Sequence, residues 1–188
     1  MSISRPSSMT SRTRSPGSGV RGPDRPQARP GDKLLSRSAA RDVAAQGRLA
    51  GQTVVLANGA FDMLHVGHVR YLAACKALGD VLIVAVNSDA SVRSGKGPRR
   101  PIVPEGERVE LLSHLACVDW LVLFDEVTVS EILRELRPHV HAKGTDYTPE
   151  TVPERAVVVE WGGETVICGD TKEHATTDLI GEILKRFR

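Results

Sequence analysis

Apolar positions change rhythm several times between Leu34 and Phe187, and each change predicts an element. From Leu34 the spacing is helical, with Ser36 placed to cap the start and Gly51 to stop it. Residues 53–57 form a short apolar run that predicts a strand ending at Asn58-Gly59. Over 68–78, Val69, Leu72, Ala73 and Ala77 share one helical face, closed by Gly79. Residues 81–86 are continuous and mostly β-branched, as a fully buried parallel strand requires. Val109, Leu112 and Ala116 align on a helix over 105–116, and 120–124 reads as a strand. Val129, Ile132, Leu133 and Leu136 mark another helix, and 140–142 a short strand before Lys143-Gly144. The stretch 149–161 fits either strand or helix end around Val157 and Val158. A last strand over 165–168 is followed by a helix striped by Leu179, Ile180, Ile183, Leu184 and Phe187. No internal repeat is visible.

Strands alternating with helices predict an α/β fold: a Rossmann-like, doubly wound parallel sheet with helices on both faces. Ligands in such sheets bind beyond the carboxyl ends of the strands, near the reversal of strand order. Asn58-Gly59, Asn87-Ser88-Asp89 and Lys143-Gly144 all follow predicted strands. This domain is expected over 33–188. Residues 1–32 are rich in Ser, Arg, Pro and Gly and predict a disordered basic tail, since so little apolar surface cannot offset the entropy of ordering. A formal G-x-G-x-x-G at 17–22 has no strand before it and no helix after it, so it predicts no dinucleotide site.

Charge sharpens the division. Residues 1–50 hold ten Lys and Arg against three Asp and Glu, whereas 51–188 hold fifteen against twenty. The body is mildly acidic, which argues against nucleic acid as its partner. The three cysteines, Cys75, Cys117 and Cys168, form no C-x-x-C pair, so neither a zinc site nor a disulfide framework is signalled. A reducing, cytoplasmic setting is the expectation. No apolar run approaches the roughly 20 residues that span a bilayer, and the start has no apolar segment of a secretory signal.

The densest chemistry lies in Asn58-Gly59-Ala60-Phe61-Asp62-Met63-Leu64-His65-Val66-Gly67-His68. A glycine turn after a strand lets backbone approach a phosphate, and the helix beginning near His65 turns free N–H groups and its positive dipole end toward an anion. His65 and His68, three residues apart, share one side of that first turn, and Gly67 leaves room between them. Two imidazoles so placed suit charge building on a phosphoryl group in transfer. Such a pair could also ligate a metal, but no third ligand lies nearby in sequence, and no metal residue is expected.

His65-Val66-Gly67-His68 resembles the H-x-G-H signature of the nucleotidyltransferase superfamily with an HIGH-type motif, and NGAFDMLHVGHVRYL resembles its cytidylyltransferase-like branch. Within that branch the likeness is greatest to adenylyltransferases acting on D-glycero-D-manno-heptose 1-phosphate. VNSDASVR at 86–93, KGPRRPI at 96–102, ERVELLSHLACVDWLVLF at 107–124 and KGTDYTPE at 143–150 extend it over 33–188. The resemblance implies transfer of AMP from ATP to a sugar 1-phosphate, with Mg²⁺ accompanying the triphosphate, release of pyrophosphate, and a homodimer. It implies His65, His68 and Lys96 as the catalytic set, with Lys96 on a flexible loop between Gly95 and Gly97. Asn58, Gly59, Ala60, Phe61, Gly67, Lys143, Gly144, Asp146, Thr176 and Thr177 would bind nucleotide, and Asp62, Asp89 and Arg108 would line the acceptor side.

The chain also departs from the family pattern. Ala60 stands where the group commonly has Cys. Ala175-Thr176-Thr177-Asp178 stands where its cap reads S-T-T followed by Arg. Asp at the last place is frequent in cytidylyltransferases for alcohol phosphates, such as glycerol 3-phosphate or ethanolamine phosphate, so that activity stays open, as does a nucleotide-binding homologue without turnover. Lys96, Arg99 and Arg100 also fit an ordinary solvated loop.

Overall fold

The computed structural model describes residues 31–148, 150–170 and 175–187. The tail expected over 1–32 lies outside them except for its last two positions. Gly31 donates its backbone N–H to Ser113 Oγ at 3.2 Å.

Among the described residues six strands form one all-parallel sheet in the order β1-β4-β3-β2-β5-β6. The elements run β1 (Leu34–Leu35), α1 (Arg37–Leu49), β2 (Val54–Gly59), α2 (Val66–Lys76), β3 (Val81–Asn87), α3 (Asp89–Lys96), α4 (Glu105–Ser113), β4 (Trp120–Phe124), α5 (Ser130–Leu136), β5 (Val140–Lys143), α6 (Arg155–Val159), β6 (Glu164–Ile167) and α7 (Thr176–Arg186). From β2 the chain winds outward through β3 and β4, then crosses back to place β5 on the other side of β2. The strand order therefore reverses at the carboxyl end of β2, where the crevice of a doubly wound sheet opens.

Strand residues alternate between two apolar layers, as period-two geometry demands. Val54 and Leu56, with Val81, Ile83 and Ala85, pack under α1, α5 and α6. Val55 and Ala57, with Leu82, Val84 and Val86, pack under α2 and α4. Both faces are covered, as the continuous β-branched runs predict.

Two expectations change, and one reading left open is decided. Leu34-Leu35 is a short edge strand paired with Leu121 and Val122, not the start of a helix. The helix waits for Ser36, whose extended backbone and hydroxyl accepting from Ala39 N–H make it the N-cap. The stretch around Val157 and Val158 is helical, as α6. Lys96 is the last residue of α3 rather than part of a loop. Gly97, at φ 88° and ψ 169°, takes a backbone conformation open to glycine and rare for other residues, and the helix ends there. The stripe on α7 exists but is not covered: Leu179, Ile183, Leu184 and Phe187 are all exposed.

Candidate active site at the strand-order reversal

A cavity of about 730 Å³ opens at the carboxyl ends of β2, β3 and β5. Its walls bring together most of the residues singled out in the sequence: Asn58, Gly59, Ala60, Phe61, Asp62, His65, Gly67, His68, Lys96, Lys143, Gly144, Asp146, Thr176 and Thr177. Two of the expected residues, Asp89 and Arg108, are absent from that wall.

The centre is the β2–α2 connection. Phe61 and Met63 hold φ values of 49° and 53°, unusual for non-glycine residues and a sign of a tightly determined loop. Phe61 is buried, and its ring meets His68 edge-on at 5.4 Å between centroids. A side chain at Gly59 would press on that ring, since its Cβ would lie 3.2 Å from it. His65 is the N-cap of α2 and His68 its third residue. Their rings stack at 3.9 Å between centroids with 28° between planes.

Backbone N–H of His65 donates to His68 Nδ1 at 3.4 Å. Burial, the neighbouring His65 and then Lys96 push the His68 imidazole down to about 4, against a smaller opposing pull from Asp62. His68 is therefore neutral near pH 7. With Nδ1 accepting, its single proton sits on Nε2, as a donor.

Asp62 borders the cavity, but its carboxylate is already engaged. It accepts from Arg100 Nε at 2.7 Å and from the backbone N–H groups of Ile102 and Val103 at 2.9 Å. Burial pushes its pKa up, yet these donors outweigh it and hold the group below the ordinary carboxylate range. Asp62 thereby clamps the 100–103 segment at the edge of the cavity. Its carbonyl accepts from Thr176 Oγ1 at 2.7 Å, tying the start of α7 to the same point.

Arg108 and Asp89 pair with each other away from the cavity wall. Arg108 is 1% exposed and lies beneath the cavity floor. It donates to Asp89 Oδ1 at 2.8 Å, to the Val103 carbonyl at 3.0 Å and to the Ala60 carbonyl. An internal guanidinium must satisfy its donors within the fold, and here it does so by fixing the loops that carry Ala60 and Val103.

On the far side of β2, Lys143 is buried with Nζ 3.4 Å from Asn58 Oδ1, 3.5 Å from Glu154 Oε2 and 4.6 Å from the centre of the Tyr147 ring. The Glu154 contact is one between charges, since that oxygen has no hydrogen-bond donor among the described residues. At the α7 start, Asp178 Oδ2 accepts from Ala175 N–H at 3.2 Å and so caps its own helix.

Sequence reasoning passed over several contributors. His141 is fully buried in β5, with Nε2 3.1 Å from Asn58 Oδ1. Burial, then Lys143, pushes it down to about 3. A histidine inside a central strand was the available signal. Tyr71 donates to the Ala142 carbonyl at 2.8 Å, and Arg70 pairs with Asp170 at 2.9 Å. Cys75 and Cys168, 93 positions apart, bring their free thiols to 3.4 Å.

Comparison with known proteins fits this geometry. A family model described as cytidylyltransferase-like matches residues 56–182. A bifunctional protein HldE from Syntrophotalea carbinolica is 46% identical over 155 residues, 82% of this chain and 32% of that protein. Another from Streptomyces coelicolor is 49% identical over 146 residues, 78% of this chain and 32% of that protein. The chain thus spans about a third of the length of these relatives. A crystal structure of the lipopolysaccharide core biosynthesis protein from Thermoplasma volcanium superposes with a TM-score of 0.53 at 32% identity, covering 62% of this chain and 94% of that one.

Proposed function

The chain belongs to the cytidylyltransferase-like family of nucleotidyltransferases, and from that premise we propose that it transfers AMP from ATP to D-glycero-D-manno-heptose 1-phosphate. The observation that carries the reaction class is the stacked His65–His68 pair at the first turn of α2, facing the cavity beyond β2. The heptose reading is supported by the resemblance of the 86–150 segments and by relatives named HldE at 43–49% identity.

In this reading an oxygen of the acceptor phosphate attacks the α-phosphorus of ATP in line. The bond from that phosphorus to the bridging oxygen breaks, and pyrophosphate leaves. A phosphate monoester dianion is already nucleophilic, so positioning and charge stabilisation suffice. His68 Nε2–H donates to the oxygens that gain charge, with His65 beside it and the backbone N–H groups at the α2 start completing the cradle. Lys96 adds a cation at the end of α3.

Among the described residues four basic ones line the cavity, Arg70, Lys96, Arg100 and Lys143, against four carboxylates, Asp62, Asp146, Glu154 and Asp170. Side chains alone therefore leave a triphosphate with much of its charge, which favours Mg²⁺ as its companion. Among the described residues no group of three or more His, Cys, Asp or Glu could hold a metal ion. Mg²⁺ would be carried by phosphate oxygens and water, lowering the charge that the site must meet.

A cytidylyltransferase for an alcohol phosphate is the second reading, favoured by Asp178 in the α7 cap. Among the described residues no helix is long and apolar enough to cross a membrane, and use of ATP suits the cytoplasm. A homodimer would cover the apolar face of α7. Pyrophosphate release measured with ATP and CTP against heptose 1-phosphate, glycerol 3-phosphate and ethanolamine phosphate tests the assignment. Release with ATP and heptose 1-phosphate alone is the expected result; release only with CTP and an alcohol phosphate selects the second reading, and none with any pair rejects both.

A further inference from the structure

We infer that Arg100 is a phosphate-binding residue of this cavity, held ready by the buried carboxylate of Asp62; this rests on the nucleotidyl-transfer reading above. Arg100 lies between α3 and α4 on the wall that it shares with His68 and Lys96, its side chain 16% exposed. Only Nε is engaged, donating to Asp62 Oδ2 at 2.7 Å. Neither terminal nitrogen of the guanidinium meets a partner among the described residues.

Asp62 explains why. Its side chain is 1% exposed, and its two oxygens also receive the N–H groups of Ile102 and Val103. Filled in this way, the carboxylate takes the guanidinium by one edge atom and does not close a two-point fork. Two of the other lining cations differ: Lys143 stands against Glu154 and Asn58, and Arg70 pairs with Asp170.

A guanidinium anchored through Nε has a fixed plane and offers four more N–H donors from its terminal nitrogens. Two such donors match two oxygens of a phosphate in a planar fork, and the anchored side chain has little rotamer freedom left to lose. Four donors in a mostly enclosed wall also need a partner, because a desolvated charge without one is costly. Phosphoryl oxygen is the chemistry that fits. Asp62 links Arg100 to the Thr176 hydroxyl as well, so the phosphate taken is either the outer part of the ATP triphosphate or the phosphate of the acceptor.

Steady-state pyrophosphate release from Arg100→Gln and Arg100→Lys, with ATP and heptose 1-phosphate varied in turn, separates these sources. Losing a charge-assisted pair is expected to raise one KM by about tenfold or more. A rise for ATP assigns Arg100 to the triphosphate, and a rise for heptose 1-phosphate assigns it to the acceptor. Arg100→Lys, which keeps the charge and loses the fork, should recover only part. Calorimetric binding of ATP and of heptose 1-phosphate repeats the comparison without turnover, so an inactive wild type sinks the reaction but not this inference. If Arg100→Gln unfolds, Arg100→Lys alone decides by the same two binding constants. Unchanged affinity for both ligands in a folded variant overturns the inference and leaves Arg100 as a loop tether.

Discussion

His68 concentrates the chemistry at the scale of one residue. Its Nδ1 is turned to the His65 backbone and its ring is held neutral by burial and by His65, so in the proposed reaction it would act through Nε2–H as a fixed donor. Replacing His65 or His68 by Ala removes one preorganised group and is expected to lower kcat by about 10²–10³, with folding retained. The pH profile separates a neutral donor from an imidazolium. Ionised only below about 4, His68 keeps the same protonation state from pH 7 to 8.5. The expected kcat at saturating substrates is therefore flat across that window, whereas a catalytic imidazolium near its ordinary pKa would lose activity steadily. Steady-state assays at four or five pH values decide between them. The two histidines were legible from spacing alone because i and i+3 fall on one side of a helical turn. Their tautomer was not, since it depends on a backbone donor and on burial. Asp62 and Arg108 were legible only as polar residues near a motif. That one clamps the 100–103 segment, while the other lies under the floor, depends on partners 38 to 48 positions away.

At the scale of elements, the central strands were readable because each is a run of buried apolar residues between turn signals, and the β4 bounds agree to the residue. Elements too short to show a period were not. Two residues of β1 and five of α6 carry no repeat, and they gain their form from pairing with β4 and from packing of Val158. The exposed stripe of α7 shows the converse: a pattern announces an apolar face without saying what covers it. The α2–β3 connection yields a prediction of its own. Gly79 sits where the chain passes so close to the foot of β2 that a Cβ would lie 2.6 Å from the Thr53 carbonyl and 2.7 Å from Val55 Cγ2. Backbone cannot yield as a flexible side-chain tip does. Gly79→Ala should therefore destabilise the fold by about 2 kcal/mol, on the scale of overpacking a tight contact, despite the better helix propensity of alanine beside α2. Gly95→Ala, where a Cβ meets nothing within 4 Å, is the control and, lying in α3, should be neutral to slightly stabilising. Urea unfolding midpoints compare the two, and equal midpoints would show that the connection can relax.

For the molecule as a whole, the reversal of strand order places a polar network inside what is otherwise an apolar sheet. His141, fully buried in β5, joins Lys143 on Asn58 Oδ1 directly beneath the cavity. Burial and Lys143 push His141 down to about 3, and burial and His65 push His68 down to about 4, both below the ordinary value of 6.5. Each binds a proton more weakly in the folded chain than in the unfolded one. Their contribution to stability is therefore complete above pH 6.5 and is lost as pH falls from there toward 4 and 3. Each lost imidazole costs about 1.4 kcal/mol per pH unit in that window, or about 2 kcal/mol between pH 7 and 5. Asp62, held below the ordinary carboxylate range, works in the same direction but only at pH values near 4 and lower. His141→Gln keeps a donor for Asn58 and cannot titrate. Chemical unfolding at pH 7 and pH 5 should show the wild type losing about twice as much stability as this variant. The variant starts from a lower value at pH 7 because the imidazole also fills space in the sheet, so the difference between the two pH values, not either value alone, is what counts. If the variant falls as far as the wild type does, His141 is not part of what makes the fold sensitive to acid, and the polar network beneath the cavity carries no titratable charge deficit.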